Sequence, residues 1–226
     1  MTSLAIDSLS NGDPARHVSR VDGLYSLKNN TAPAVIWDRI IPKAVETWFD
    51  EIDPDTLPWA RVNLMVRDVA SVVRQACDES GLPDSSERDW FIEDVATIAD
   101  CFARMMAAHR LQIRFDIVTG NSCKNFHTDM VKARLICTYR GPGTQYGTLT
   151  GGQEPDRIYE VLTGCPIVLR GTRWPGTASA NFRHRSPPIE GLGMTRLNLV
   201  LDALDHEKNH EGDLNIHPEW VRDDPS

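Results

Sequence analysis

The sequence predicts an α+β protein, with an N-terminal helical lobe at residues 38–110 followed by a β-rich core at residues 111–202. Three observations carry this reading. Apolar residues recur at three- and four-residue steps as far as Met105, the spacing of a helix face. At Leu111 the period switches to two: Leu111, Ile113, Phe115 and Ile117 alternate with Gln112, Arg114 and Asp116, as along a half-buried strand. Beyond it the segments are short and broken by glycine and proline, which suits a sandwich or barrel.

The elements follow in order. Residues 1–33 are polar and read as irregular, with one short strand around Gly23–Leu27. Pro42 suits the first turn of a helix whose apolar positions are Val45, Trp48, Phe49 and Ile52. A second helix is expected from Asp55–Pro58, on Val62, Val66, Val69, Val73 and Ala76, with Gly81 to end it. A third is expected from Asp84, with Glu87 completing an approximate capping box and a stripe of Phe91, Val95, Ile98, Phe102 and Met105. Strands are expected at 111–118, 124–130, 133–139, 157–162, 166–171, 180–185 and 195–202. Residues 34–202 thus read as one domain, and 203–226 as an acidic tail with seven acids and two bases.

Composition excludes several functions. The 226 residues include 24 basic and 32 acidic ones, a net charge of −8. A general nucleic-acid binder needs a basic face, and a polybasic membrane surface needs the same. No apolar run approaches the roughly 20 residues that span a bilayer. Met1 to His17 carries no basic and apolar signal pattern. The five cysteines, Cys77, Cys101, Cys123, Cys137 and Cys165, form no CxxC pair. A reducing, cytoplasmic setting is the expectation. Gly141-Pro-Gly143 reads as a turn, since no GxxxxGK[ST] pattern accompanies it.

The chemistry concentrates in Cys123-Lys-Asn-Phe-His127-Thr-Asp129. On a strand, residues 127 and 129 share a face, so an imidazole and a carboxylate point to one place. A further histidine would complete a two-histidine, one-carboxylate metal site, which leaves positions open and suits non-haem Fe(II). His184 supplies it, in Asn181-Phe-Arg-His184-Arg-Ser-Pro-Pro188, with Arg183 and Arg185 facing out if it faces in. Arg196 follows at the start of Thr195–Asp202; the short loop Pro187–Met194 predicts that these two strands are hairpin neighbours. Arg196 offers a planar fork for a carboxylate, or else pairs with an acid such as Glu190. Cys123 is either a core thiol or a fourth, sulfur ligand, which would favour zinc. His206, His210 and His217 lie among tail acids and read as solvated.

This order of HxD, distant His and following Arg resembles the Fe(II)/2-oxoglutarate oxygenases of the double-stranded β-helix (jelly-roll) fold. The resemblance implies that His127, Asp129 and His184 bind Fe(II) and that Arg196 anchors 2-oxoglutarate. It implies oxidative decarboxylation to succinate and carbon dioxide, coupled to oxidation of a small-molecule or peptide substrate. Arg196-Leu-Asn198 is similar to the Arg-x-Ser pair of some members, with Asn198 in place of serine. Tyr139 or Thr138 would then supply a hydroxyl to the cosubstrate.

Longer stretches carry a second resemblance. Phe126-His-Thr-Asp129, Thr138-Tyr-Arg-Gly-Pro-Gly-Thr-Gln-Tyr146 and His184-Arg-Ser-Pro-Pro188 are similar to an uncharacterised bacterial family. It is the eighteen-twenty-six domain of unknown function, and the similarity runs from Ala34 to Asp202. That resemblance implies company with zinc-homeostasis genes and metal-chaperone GTPases. It keeps open a non-catalytic zinc-binding protein on a cupin-like fold, or a cupin-like metalloenzyme that uses no 2-oxo acid.

Overall fold

A strand with alternating apolar residues must bury one face. β4 (Arg110–Val118) does so: Leu111, Ile113 and Phe115 are fully buried, while Arg114 and Asp116 lie on the opposite face. In a computed structural model that describes residues 12–152, 154–176 and 181–204, this strand belongs to a seven-stranded sheet. The order across the sheet is β1 (Arg16–Val18), β2 (Ala34–Trp37), β8 (Pro166–Arg170), β5 (Ala133–Arg140), β10 (Arg196–Ala203), β4 and β3 (Ala60–Met65). Only the β1–β2 pair is parallel. A three-stranded antiparallel sheet holds β7 (Tyr159–Glu160), β6 (Gln145–Thr148) and β9 (Phe182–Arg185).

The same alternation runs through the neighbouring strands and makes two cores. Leu197, Leu199 and Leu201 of β10 join Leu135, Cys137 and Tyr139 of β5 in one cluster with the helices. Those helices are α1 (Lys43–Glu51), α2 (Val69–Glu79) and α3 (Ser86–Met106). Phe91 of α3 is the hub: its ring centroid lies 5.2 Å from Phe49, 5.5 Å from Phe115 and 4.8 Å from Tyr139. The second core lies between the sheets, where Ile36, Ile167 and Leu169 meet Tyr146 and Phe182. The molecule is therefore a mixed α/β structure of three layers: helices, large sheet, small sheet. Among the described residues, no helix is long and apolar enough to cross a membrane.

Several expected elements differ. The second helix begins at Val69, and residues 60–65 form β3 instead. Ala60, Val62 and Leu64 also alternate with Arg61 and Asn63, so the stretch satisfies both periods; backbone pairing along β4 decides for the strand. The strand expected at Gly23–Leu27 is part of a 3-10 helix, Val21–Lys28, which buries Leu24 and Leu27, three residues apart. The cap of α3 is Ser85, whose side chain accepts from Arg88 N at 3.1 Å, one residue after the expected Asp84. Residues 124–130 form no strand beyond a single bridge at His127, and 157–162 shrinks to β7. β9 and β10 are not hairpin neighbours: the loop between them crosses from the small sheet to the large one. The tail histidines and most of the acidic tail lie outside the described residues.

The N-terminal edge is pinned by charge. His17 Nδ1 lies 2.9 Å from both Asp38 carboxylate oxygens, and its Nε2 lies 3.2 Å from Asp13 Oδ2. The Tyr146 hydroxyl donates to Asp13 at 2.9 Å. The hydrogen bond to Asp13, against partial burial and with Asp38 assisting, pushes the His17 pKa from 6.5 up to about 9. The folded chain therefore holds this proton more tightly than the unfolded chain, so the stabilisation is full below pH 6.5 and is lost as pH rises through about 9. Urea unfolding at pH 6 and pH 10 should show lower stability at the higher pH, and His17→Gln should remove that part of the difference.

Candidate metal centre

Histidines 57 residues apart in sequence meet through their backbones. His127 N donates to His184 O, and His184 N donates to His127 O, both at 3.0 Å. Residues paired this way carry their side chains on the same side. The two imidazole centroids lie 4.5 Å apart. Asp129, two residues on, is held by its own backbone: its carbonyl accepts from Thr172 N at 2.9 Å. That approach needs glycine at 171, because a Cβ there would sit 2.1 Å from Val131 O and 2.7 Å from Asp129 O.

One ligand atom from each of His127, Asp129 and His184 lies within 4.8 Å of the others, so these residues could hold a metal ion. His127 Nε2 is 3.7 Å from Asp129 Oδ1, and His184 Nε2 is 3.1 Å from Asp129 Oδ2. The latter contact lacks hydrogen-bond geometry, and Asp129 Oδ2 is buried without a hydrogen bond. His127 Nδ1 lies 2.9 Å from Asn125 O, a carbonyl that can only accept, so Nδ1 is the donor there and Nε2 is the nitrogen facing Asp129. Burial pulls the His184 pKa down, against the pull of Asp129, which favours the neutral imidazole. Burial alone would raise the Asp129 carboxyl, but His184 and the Arg134 guanidinium hold it below the ordinary carboxylate value. Two imidazoles and one carboxylate are a donor set for a divalent transition metal with open positions.

Arg134 braces the carboxylate. It donates from Nη1 to Asp129 Oδ1, and grips Asp202 with Nε at 2.8 Å and Nη2 at 2.6 Å. Arg134 of β5 and Asp202 of β10 stand directly opposite in the sheet register. Sequence reading missed both residues. Their signal was an opposite-charge pair on the cavity-facing alternation of two adjacent strands, legible only once the strands are known to be neighbours.

Arg196 lines the same cavity as the His–Asp–His cluster, although its strand is not the hairpin partner of β9. It is 1% exposed. Its Nε donates to Pro142 O at 2.7 Å, and its Nη1 is buried with no hydrogen-bond partner. Burial pulls its pKa down to about 10, against Glu160 and Asp116. Glu190, the acid offered as its partner, instead accepts from Asn121 Nδ2 at 2.7 Å. Asn198 lines the cavity too, with its Oδ1 accepting from Thr138 Oγ1 at 2.9 Å.

A family model described as "Protein of unknown function (DUF1826)" matches residues 19–202. The chain belongs to this family. No curated protein matches. Among solved structures, the fold is similar to a dioxygenase for auxin oxidation from Arabidopsis thaliana, in binary complex with 2-oxoglutarate. The TM-score is 0.52 at 10% identity, over 87% of this chain and 94% of that one. Also similar are a rice dioxygenase for auxin oxidation (TM-score 0.48, 14% identity, 84% and 82% covered) and a Pseudomonas putida prolyl-4-hydroxylase (0.43, 12%, 83% and 96%).

Two expectations fail in this family member. Tyr139 does not reach the cavity. It is the extra residue of a β-bulge, since Thr138 pairs with Asn198 while Arg140 pairs with Leu197. Its ring joins the helix-side core and its hydroxyl donates to Asp94 at 2.6 Å. Asp94 is also gripped by Arg39. Cys123 is neither a core thiol nor part of the ligand cluster: it is exposed, in a turn with φ of 51°.

Removing the Arg134 brace with Arg134→Gln should weaken divalent-metal binding about 10- to 100-fold, as loss of groups that orient a ligand does; calorimetric titration with Zn(II) reads this directly. Tyr139→Phe should cost about 1–2 kcal/mol of folding stability in denaturant unfolding and leave that metal affinity unchanged.

Proposed function

We propose that this protein is an Fe(II)/2-oxoglutarate-dependent oxygenase built on a double-stranded β-helix (jelly-roll) core. The observation that carries this reading is the unpaired Arg196 Nη1, buried in the cavity that also holds the His–Asp–His cluster. An uncompensated guanidinium in a low-dielectric site is costly, and a bidentate carboxylate is the ligand that matches its fork. A cluster that leaves metal positions open, beside a cation that lacks its anion, fits a metal-chelating 2-oxo acid. The likeness to the auxin dioxygenase in its 2-oxoglutarate complex is one of fold, and it is consistent with this reading.

His127, Asp129 and His184 would hold Fe(II), and Arg196 the far carboxylate of 2-oxoglutarate. When bound, iron and the 2-oxo acid supply the activation of dioxygen and the oxidation of a second substrate. The chain's own residues do the rest. Arg134 fixes the Asp129 carboxylate and takes up part of its charge. Asn125 fixes the His127 tautomer. Thr138 occupies the Asn198 oxygen, which leaves the amide nitrogen as the donor toward a ligand. Val118, Ile136 and Val200 line the cavity with apolar groups and help to exclude water.

Anaerobic addition of Fe(II) and then 2-oxoglutarate to the metal-free protein should produce the weak visible charge-transfer band of a chelated 2-oxo acid. Arg196→Ala should raise the 2-oxoglutarate concentration needed at least ten-fold while iron uptake stays intact. Iron uptake without any band in the wild-type protein would overturn the proposal.

A further inference from the structure

The cavity holds more guanidinium capacity than the cosubstrate would use. Four arginines line it: Arg114, Arg134, Arg185 and Arg196. Arg134 is consumed by Asp129 and Asp202. Arg185 donates to Gln145 Oε1 at 2.9 Å and lies over the Phe126 ring at 4.4 Å. Arg196 is assigned above. Arg114 remains. Its Nε is buried with no hydrogen-bond partner, and its one acidic neighbour among the described residues, Asp116, is 4.0 Å away and partly exposed.

The register sharpens this. On β3, Arg61 stands directly opposite Arg114 as an exposed residue at the rim, outside the cavity lining, and no ion pair of it is found among the described residues. Like charges facing each other across a strand pair are destabilising, and an anion between them removes the penalty. On the other side, Val200 pairs with both Arg114 and Ile136. One row across the sheet therefore runs from two guanidiniums over an apolar floor to β5, the strand whose Arg134 holds Asp129. Arg196 lies four residues along β10 from Val200, roughly 14 Å at about 3.4 Å per residue. That span separates the Arg114 position from the carboxylate seat at Arg196.

We propose that Arg114, assisted by Arg61, seats the carboxylate of the substrate to be oxidised, which is thus a small organic acid with an apolar body lying over Val200 and Ile136. The inference rests on the oxygenase reading and names the substrate class for that site.

The test uses the full chain loaded with redox-inert Zn(II) and the unreactive 2-oxoglutarate analogue N-oxalylglycine, and in parallel the unloaded chain. Each is titrated by calorimetry with a set of monocarboxylates, from butanoate and octanoate to benzoate, phenylacetate and 3-phenylpropanoate, and with the matching primary amides. The expected result is that at least one acid binds wild-type protein ten-fold or more tightly than its amide, and that Arg114→Gln abolishes the preference. Arg61→Gln should reduce it by a smaller factor. Equal affinity for acid and amide across the set overturns the proposal, as does a preference that survives in Arg114→Gln. Failure of wild-type protein to take up N-oxalylglycine would instead remove the oxygenase reading, while the acid preference is still scored on the unloaded chain.

Discussion

Everything at the candidate centre hangs on the paired backbone hydrogen bonds between His127 and His184. Among the described residues they form the one isolated β-bridge between an irregular connection and the small sheet, flanked by Ser186 N donating to Cys123 O at 3.1 Å and Thr128 Oγ1 donating to Phe182 O at 3.1 Å. They set the register that brings the two imidazoles to face one point. Glycine 171 secures the other side of the segment by letting the chain come close behind Asp129. The metal ligands are thus placed by main-chain contacts, and main-chain contacts hold position more firmly than side-chain contacts on a loop.

Around that bridge, charge is arranged in series. Asp202 holds Arg134, Arg134 holds Asp129, and Asp129 faces both imidazoles. A buried carboxylate that is braced from behind can face a cation without rearranging, which lowers the cost of binding it. At Arg196 the sequence of partners stops short, and the unfilled Nη1 marks where a ligand belongs. The contrast with Arg39 is informative. Arg39 is also buried, but Asp94 and the Gly164 carbonyl answer it fully, and it serves the core.

The large sheet explains how one surface can be both core and cavity. Odd-numbered residues of β4 and β10 pack under the helices, and even-numbered ones face the small sheet. The period-two pattern made this legible at Leu111–Ile117. Continued along β5, the same alternation puts Tyr139 with Leu135 and Cys137 on the helix side, so the expected contact of its hydroxyl with the cosubstrate already ran against the pattern. The alternation is masked at residues 60–65, where Val62 also fits the three- and four-residue steps of Val66, Val69 and Val73 and so reads as the start of a helix. A local pattern carries no information about an inserted residue or about a free strand edge waiting nearby.

By itself, the sequence determined the mixed α/β character, the switch from helical to strand periodicity at Leu111, and the donor types of His127, Asp129 and His184. The first two are short-range consequences of chain geometry and side-chain size. The tertiary structure alone decided which sheet each late strand joined, that β9 and β10 part company across the Pro187–Met194 loop, and that Arg134 meets Asp202. It also decided which arginines are spent on the protein's own acids and which are left for a ligand. Charge neutralisation acts through space between residues tens of positions apart, and only the folded register says which of them meet.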